Sequence, residues 1–347
     1  MRALAVLCTA TLVSVPVSVA VTAPSEAATP HPRTAEPPKR ATAHGSGGAV
    51  ASVDPYATQV GLRVLRAGGN ATDAAVATAA ALGVTEPFSA GIGGGGYFVH
   101  YSAKTGKVQT IDGRETAPAK MSHQAFIDPK TGKPYNFSPE LVTSGVSVGV
   151  PGTLATWQRA LKRWGTRSLG ASLRPAARLA DRGFVVDKTF NSQVVQNQQR
   201  FTAFRPTKKL YWKGGHAPRV GSTFRNPDLA ATYRLLARQG VKPFYRGVIA
   251  DEIVRAVRRP PVTKTTKLPV PKGHMVKRDL TRYRALDRTP TRIGYRGLNV
   301  YGMAPSSSGG STVGEALNIL ERYDLSALPR ATALHLYLEA SALSFAA

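Results

Sequence analysis

Cysteine is almost missing from this chain: 347 residues contain one, Cys8. It falls in the opening stretch MRALAVLCTATLVSVPVSVAVTAPSEAATP, where Arg2 precedes an apolar run and small residues end at Ala27 and Ala28. That is the layout of an export signal spanning residues 1–28. Its removal would leave no disulfide frame, no thiol nucleophile and no thiolate metal site. Leu7 stands before Cys8 where a lipid-anchored precursor carries a small residue, which argues against a lipid anchor. Pro16 interrupts the run, so an unbroken apolar span of about 20 residues is excluded. The expected location is the periplasm, cell wall or exterior of a bacterium.

Acidic residues are scarce too, 20 against 46 lysines and arginines, for a formal net charge of +26. Loss of Arg2 and Glu26 together would leave that balance unchanged. Such a charge attracts anionic walls, lipids or nucleic acid and speeds encounter with negative substrates. It is dispersed along the chain, however, as on an arginine-rich solvated surface. The densest stretch, RFTAFRPTKKLYWK through VTKTTKLPVPKGHMVKR, mixes cations with aromatics, but no nucleic-acid module accompanies it. No specific nucleic acid is therefore expected as a partner. The seven histidines fall in no metal-ligand spacing and H-E-x-x-H is missing. Neither a metal nor a cofactor is expected.

What is present is a punctuated mixture of helix and strand signals. Residues 29–47 are Pro-rich and read as a disordered leader, with one domain expected over residues 48–347. AVASVD reads as a short strand. DPYATQVGLRVLRAGG reads as a helix capped by Asp54, with Pro55 in its first turn and a stop at Gly68. NATDAAVATAAALG reads as a second helix, with Asn70 and Asp73 spaced as a capping box and Gly83 as its stop. Its alanines on every side predict burial against a sheet. YFVHYSAKTGKVQTIDGR reads as a hairpin turning at KTGK, with Arg114 at the end of the second strand. Leu154, Trp157, Leu161 and Trp164 recur at helical spacing, and LRPAARLADRG and NPDLAATYRLLARQG add two more helices.

Two motifs invite chemistry and fail on context. GIGGGG matches G-x-G-x-x-G through Gly91, Gly93 and Gly96, but it follows a helix and leads into a strand. A dinucleotide fingerprint needs the reverse, so close backbone approach is the better use of these glycines. APSSSGGS places Ser306, Ser307 and Ser308 near glycines without the G-x-S-x-G elbow of a serine hydrolase. His100 and His335 read as packed or exposed histidines.

Five blocks, AVASVDPYATQVGLRVLRAGGNATDAAVATAAALGVTEPFSAGIGGGGYFVHY, IDGRETAPA, SVGVPGTLATW, YRGLNVYGMAPSSSGGSTVGEALNILE and LHLYLEASALSFA, together resemble the gamma-glutamyltransferase family. They occur in the family's order and cover nearly all of residues 48–346. The resemblance implies an α/β N-terminal-nucleophile hydrolase fold, a four-layer αββα sandwich. It implies a precursor that cuts itself into a large and a small chain, whose new N-terminal threonine is the nucleophile. The substrates implied are glutathione and other gamma-glutamyl compounds, with water, amino acids or peptides as acceptors.

By its place in the R-E-x-A-P block, Arg114 resembles the residue that holds the α-carboxylate of the glutamyl group. A guanidinium fork suits that task, since two parallel hydrogen bonds fix orientation as well as charge. On a strand, Asp112 and Arg114 share a face, so Asp112 either pairs with Arg114 in a plain ion pair or orients its fork. The family's T-T-H-x-S segment does not occur here, and the chain stops at ALSFAA within an apolar helical run. The catalytic threonine is thus expected on a small chain outside this sequence, which reads as most of a large chain. Two other readings stay open. One is an amidase of the same fold acting on glutaryl-cephalosporins or poly-gamma-glutamate; the other is a non-catalytic basic fragment that binds anionic polymers.

Overall fold

The computed structural model describes Lys39 and residues 42–346. The expected export signal lies outside these residues. Of the leader, Lys39 and residues 42–47 are described, and they are exposed and form neither helix nor strand.

Helix α1, Pro55–Arg66, begins where Asp54 accepts a hydrogen bond from the Ala57 N–H at 2.8 Å. A cap of this kind satisfies one of the unpaired donors of a first helical turn. Helix α2, Ala71–Thr85, carries the expected reciprocal box between Asn70 and Asp73. Asp73 does more than cap. It also accepts from the backbone N–H and hydroxyl of Thr166, at 3.0 and 2.6 Å, and from the Arg167 N–H at 3.0 Å. One fully buried carboxylate thereby ties the start of α2 to the connection between α3, Thr153–Trp164, and α4, Leu169–Arg182.

Three local expectations are corrected. AVASVD forms no strand, because no neighbouring segment pairs with it. Alanine-rich α2 packs on α1, α3 and α4 rather than on a sheet. Its small side chains let helix backbones approach, which is the same property read against the wrong partner. It also runs through Gly83 to Thr85. A Cβ at Gly83 would lie 2.7 Å from the Tyr233 hydroxyl, so this glycine admits a neighbouring side chain and does not end the helix.

The hairpin is present as β1, Gly96–Ser102, and β2, Lys107–Gly113, antiparallel from Gly96 opposite Gly113 to Ser102 opposite Lys107. The strand Leu286–Arg288 joins β2 from the far side, with Asp112 opposite Leu286 and Thr110 opposite Arg288. Helix α3 closes one face of this sheet through Ala160 against Ile111 and Ala285. Leu154, Trp157 and Leu161 of α3 enter the main core with α1, α2, α4 and the helix Pro227–Gln239. Trp164 turns instead to His100, ring to ring at 4.3 Å. Phe184–Val185 pairs antiparallel with the distant Thr223–Phe224, and Thr291–Tyr295 forms a second hairpin with Leu298–Gly302. The helix Gly309–Leu320 lies on the last of these and carries Arg330–Ala346. Among the described residues the sandwich is therefore present in part, as one three-stranded sheet, two two-stranded sheets and their helices.

The aromatics of the basic stretch face inward. Tyr211 packs on Phe201 at 5.1 Å and stacks on Phe224 at 5.3 Å, and burial pushes its hydroxyl up to about 12. Rings committed to a core offer no stacking platform for bases.

Candidate active site

Arg114 follows the last residue of β2 directly, at the point where the chain leaves the sheet. Beside it runs the glycine segment. A Cβ at Gly95 would stand 2.5 Å from the Gly113 carbonyl oxygen and 2.9 Å from the Glu115 nitrogen, so only glycine fits against this strand end. The same segment is tied to the start of α3: the Gly94 carbonyl accepts from the N–H groups of Gly152 and Thr153, at 2.9 and 3.1 Å. Close approach is thus made at Gly95 rather than at the glycines of the G-x-G-x-x-G match: a Cβ at Gly91, Gly93 or Gly96 would meet nothing within 4 Å, and of the three only Gly91, with φ of +152°, has a backbone that favours glycine.

The backbone of Arg114 is held on both sides. Its N–H donates to Asp112 Oδ1 at 3.1 Å, and its carbonyl accepts from the Tyr283 hydroxyl at 2.8 Å. Burial, with Asp112 and Glu115 nearby, pushes the Tyr283 hydroxyl up to about 12 and keeps it a donor. The guanidinium is anchored through one nitrogen. Nη1 donates to the Ser306 carbonyl at 2.9 Å and to the Tyr97 hydroxyl at 3.4 Å. The Tyr97 hydroxyl in turn lies 3.2 Å from Ser306 Oγ. Contact with Tyr97, then the charges of Glu115 and Asp112, raises the arginine pKa further above its ordinary value.

The expected pairing of Asp112 with the Arg114 guanidinium is replaced. Asp112 Oδ2 takes Arg288 Nε at 3.2 Å, while Oδ1 takes the Arg114 backbone. The reason is geometric: Arg114 has already left the pleat, whereas Arg288 sits diagonally across the ladder on the face that Asp112 shares. Asp112 therefore fixes the path of the Arg114 backbone and does not hold its fork. Nε and Nη2 of Arg114 make no hydrogen bond among the described residues, and the side chain is exposed. This open edge is one of the two faces through which a guanidinium takes a carboxylate in paired hydrogen bonds.

Tyr97, a hydrogen-bond partner of Arg114, and Glu115, its neighbour in sequence, line an open cleft of about 770 Å³ that also includes Gly93, Thr153, Trp157 and Tyr233, while Arg114 itself stands outside that lining. Among the described residues no cluster of three histidine, aspartate or glutamate side chains is placed to hold a metal. His335 is exposed on its helix, and burial followed by the charge of Arg163 lowers the pKa of His100. Ser306, weighed above only as a nucleophile, instead offers its carbonyl to Arg114. Tyr97, Ser306 and Tyr283 were not legible as partners of Arg114. Nothing in sequence spacing brings together residues up to 192 positions apart.

The mixed helix and sheet scaffold matches gamma-glutamyltranspeptidases and related N-terminal-nucleophile hydrolases among solved structures. The structure of Helicobacter pylori gamma-glutamyltranspeptidase superposes with a TM-score of 0.80 at 33% identity, covering 88% of this chain and 84% of that one. A cephalosporin acylase from Bacillus halodurans gives a TM-score of 0.72 at 32% identity, covering 84% and 52%. The family model described as gamma-glutamyltranspeptidase matches residues 57–347. This chain belongs to the gamma-glutamyltranspeptidase family. It is 39% identical over 285 residues to the glutathione hydrolase proenzyme of Escherichia coli (strain K12), covering 80% of this chain and 46% of that protein. It is 35% identical to the acylase ACY 1 proenzyme of Pseudomonas sp. (strain V22), covering 88% and 53%. The chain thus spans about half the length of the curated relatives it matches.

Proposed function

We propose that this chain is the donor-binding part of an exported gamma-glutamyltransferase and glutathione hydrolase. The observation that carries the reading is the open Nε and Nη2 edge of Arg114 beside the cleft. In this reading the edge receives the α-carboxylate of glutathione or a related gamma-glutamyl amide. Tyr97 and the Ser306 carbonyl keep the guanidinium from rotating while Tyr283 and Asp112 fix its backbone.

The cleavage step belongs to a second chain of the same precursor. Its N-terminal threonine hydroxyl attacks the gamma-carbonyl carbon, with its own α-amine taking the proton. The amide C–N bond breaks, the leaving amine takes that proton, and a glutamyl ester remains on threonine. Water, an amino acid or a peptide then attacks the ester and regenerates the hydroxyl. An amidase acting on glutaryl amides is the second reading, supported by the acylase relatives. The two donors share the carboxylate that Arg114 is placed to hold and differ in whether an α-amino group stands beside it.

The test is reconstitution. Residues 48–347 folded alone should release no product from a chromogenic gamma-glutamyl anilide, and activity should appear when a threonine-bearing second chain is supplied during folding. Turnover by residues 48–347 alone, persisting after host enzyme is removed, would place a nucleophile in this chain and overturn the division of labour.

A further inference from the structure

A second cleft, of about 910 Å³, opens between the end of α3, the start of α4 and the segments 239–246 and 281–285. Six cations line it, Arg159, Lys162, Arg167, Lys242, Arg246 and Arg284, and no aspartate or glutamate does. In a chain of mixed charges, an acid-free lining of this size concentrates positive potential, because the cleft walls exclude the water that would screen it.

The six cations fall into two sets. Three are already engaged. Arg159 forks onto Asp287 at 2.8 and 2.6 Å, Arg167 donates to the Ala67 carbonyl, and Arg284 donates to the carbonyls of Thr281 and Tyr283 at 3.1 and 2.7 Å. The side chains of Lys162, Lys242 and Arg246 are exposed and form no ion pair or hydrogen bond among the described residues. Asp287, the carboxylate at the edge, is shared between Arg159 and Arg163 and so cannot neutralise them. The cleft also receives the start of α4 at Ser168, where a 14-residue helix with no acid in its first turn adds partial positive charge.

From this arrangement we infer that the cleft is a binding site for a linear phosphate chain, either an oligophosphate or a phosphodiester polymer. The ligand has several negative groups in a row, matching three free cations backed by three fixed ones. The floor decides against nucleic acid. Tyr245 and Tyr283 lie there stacked on each other at 6.0 Å, with 7% and 8% of their surface exposed, so neither presents a ring face to a base. Lysine ammonium groups suit phosphates as rotatable point charges, without the planar match a carboxylate would favour. The inference is independent of gamma-glutamyl chemistry, since none of the six cations contacts Arg114.

The test is calorimetric titration of the purified chain with sodium tripolyphosphate and with a short poly(glycerol phosphate). Three variants are compared with the parent. A cleft triple, Lys162→Ala, Lys242→Ala and Arg246→Ala, should weaken binding at least tenfold and reduce the steepness of the log K against log salt plot by about two. A control triple on exposed loops, Lys104→Ala, Lys130→Ala and Lys264→Ala, removes the same charge and should change binding less than twofold. A charge-keeping variant, Lys162→Arg with Lys242→Arg, should bind within threefold of the parent, and unfolding temperatures report whether each variant is folded. Preference for tripolyphosphate or for the polymer identifies the source of the phosphate chain. Equal losses in the cleft and control triples would reduce the effect to net charge and overturn the site. So would a single-stranded oligonucleotide binding more tightly than tripolyphosphate of equal charge.

Discussion

Tyr97 offers Arg114 its most separable support. Its hydroxyl meets Nη1 at 3.4 Å on an exposed side chain, whereas the Ser306 carbonyl meets the same nitrogen at 2.9 Å. A long exposed bond of this kind contributes on the order of 1 kcal/mol or less. In the assembled enzyme, Tyr97→Phe should therefore raise KM for a gamma-glutamyl donor by up to about fivefold and leave kcat nearly unchanged, as steady-state kinetics would record. A kcat loss of more than tenfold would mean that the hydroxyl takes part in the reaction. The sequence made Arg114 legible because the R-E-x-A-P block is local. It misassigned Asp112, because strand alternation places side chains but does not reveal that the chain leaves the strand one residue earlier. Arg288, which took Asp112 in its place, comes from 176 residues further along the chain.

Capping was the part of the local structure that the sequence expressed best. Asp54 and Asn70 accept a first-turn N–H as expected, and Ser168 and Asn226 do the same for α4 and the helix Pro227–Gln239. Helix stops were less legible, since Gly83 serves tertiary packing. Asp73 joins these two levels. Burial alone would raise its pKa, but the hydrogen bonds from Thr166, Asn70 and Arg167 outweigh that and hold it below the usual carboxylate value. A depressed folded pKa gives stability that is present above the unfolded value of about 3.9 and is lost as pH falls through the folded one. Asp73→Ala leaves the N–H groups of Thr166 and Arg167 without that partner. It should destabilise the chain by about 3 kcal/mol near neutral pH, measured by denaturant titration, and should flatten the fall in stability below about pH 4. An unchanged midpoint would show that α2 and the α3–α4 connection are held together without this carboxylate.

Over the whole molecule, one feature of the surface sets behaviour in solution. The helix Arg330–Ala346 exposes Leu338 at 62% and Phe345 at 83%, with Leu334, Tyr337 and Leu343 also outward. Apolar area of that kind promotes association. Residues 48–347 should self-associate with rising concentration in sedimentation experiments, and Leu338→Glu with Leu343→Glu should shift the distribution toward monomer; no shift would locate the contact elsewhere. In the proposed function this chain holds the donor's α-carboxylate on Arg114 while a second chain cleaves the amide. The most direct measurement is a cycle in the assembled enzyme, with parent, Arg114→Lys and Arg114→Ala each assayed on a gamma-glutamyl anilide and on a 4-aminobutyryl anilide, which keeps the amino group and lacks the α-carboxylate. Hydrogen bonds between charged groups contribute about 1.5–3 kcal/mol, so kcat/KM on the glutamyl donor should fall roughly 10- to 100-fold in both variants. Lysine should rescue little, having lost the fork, and on the 4-aminobutyryl anilide all three proteins should agree within about threefold. Equal losses on both substrates, or full activity of Arg114→Lys on the glutamyl donor, would contradict the assignment.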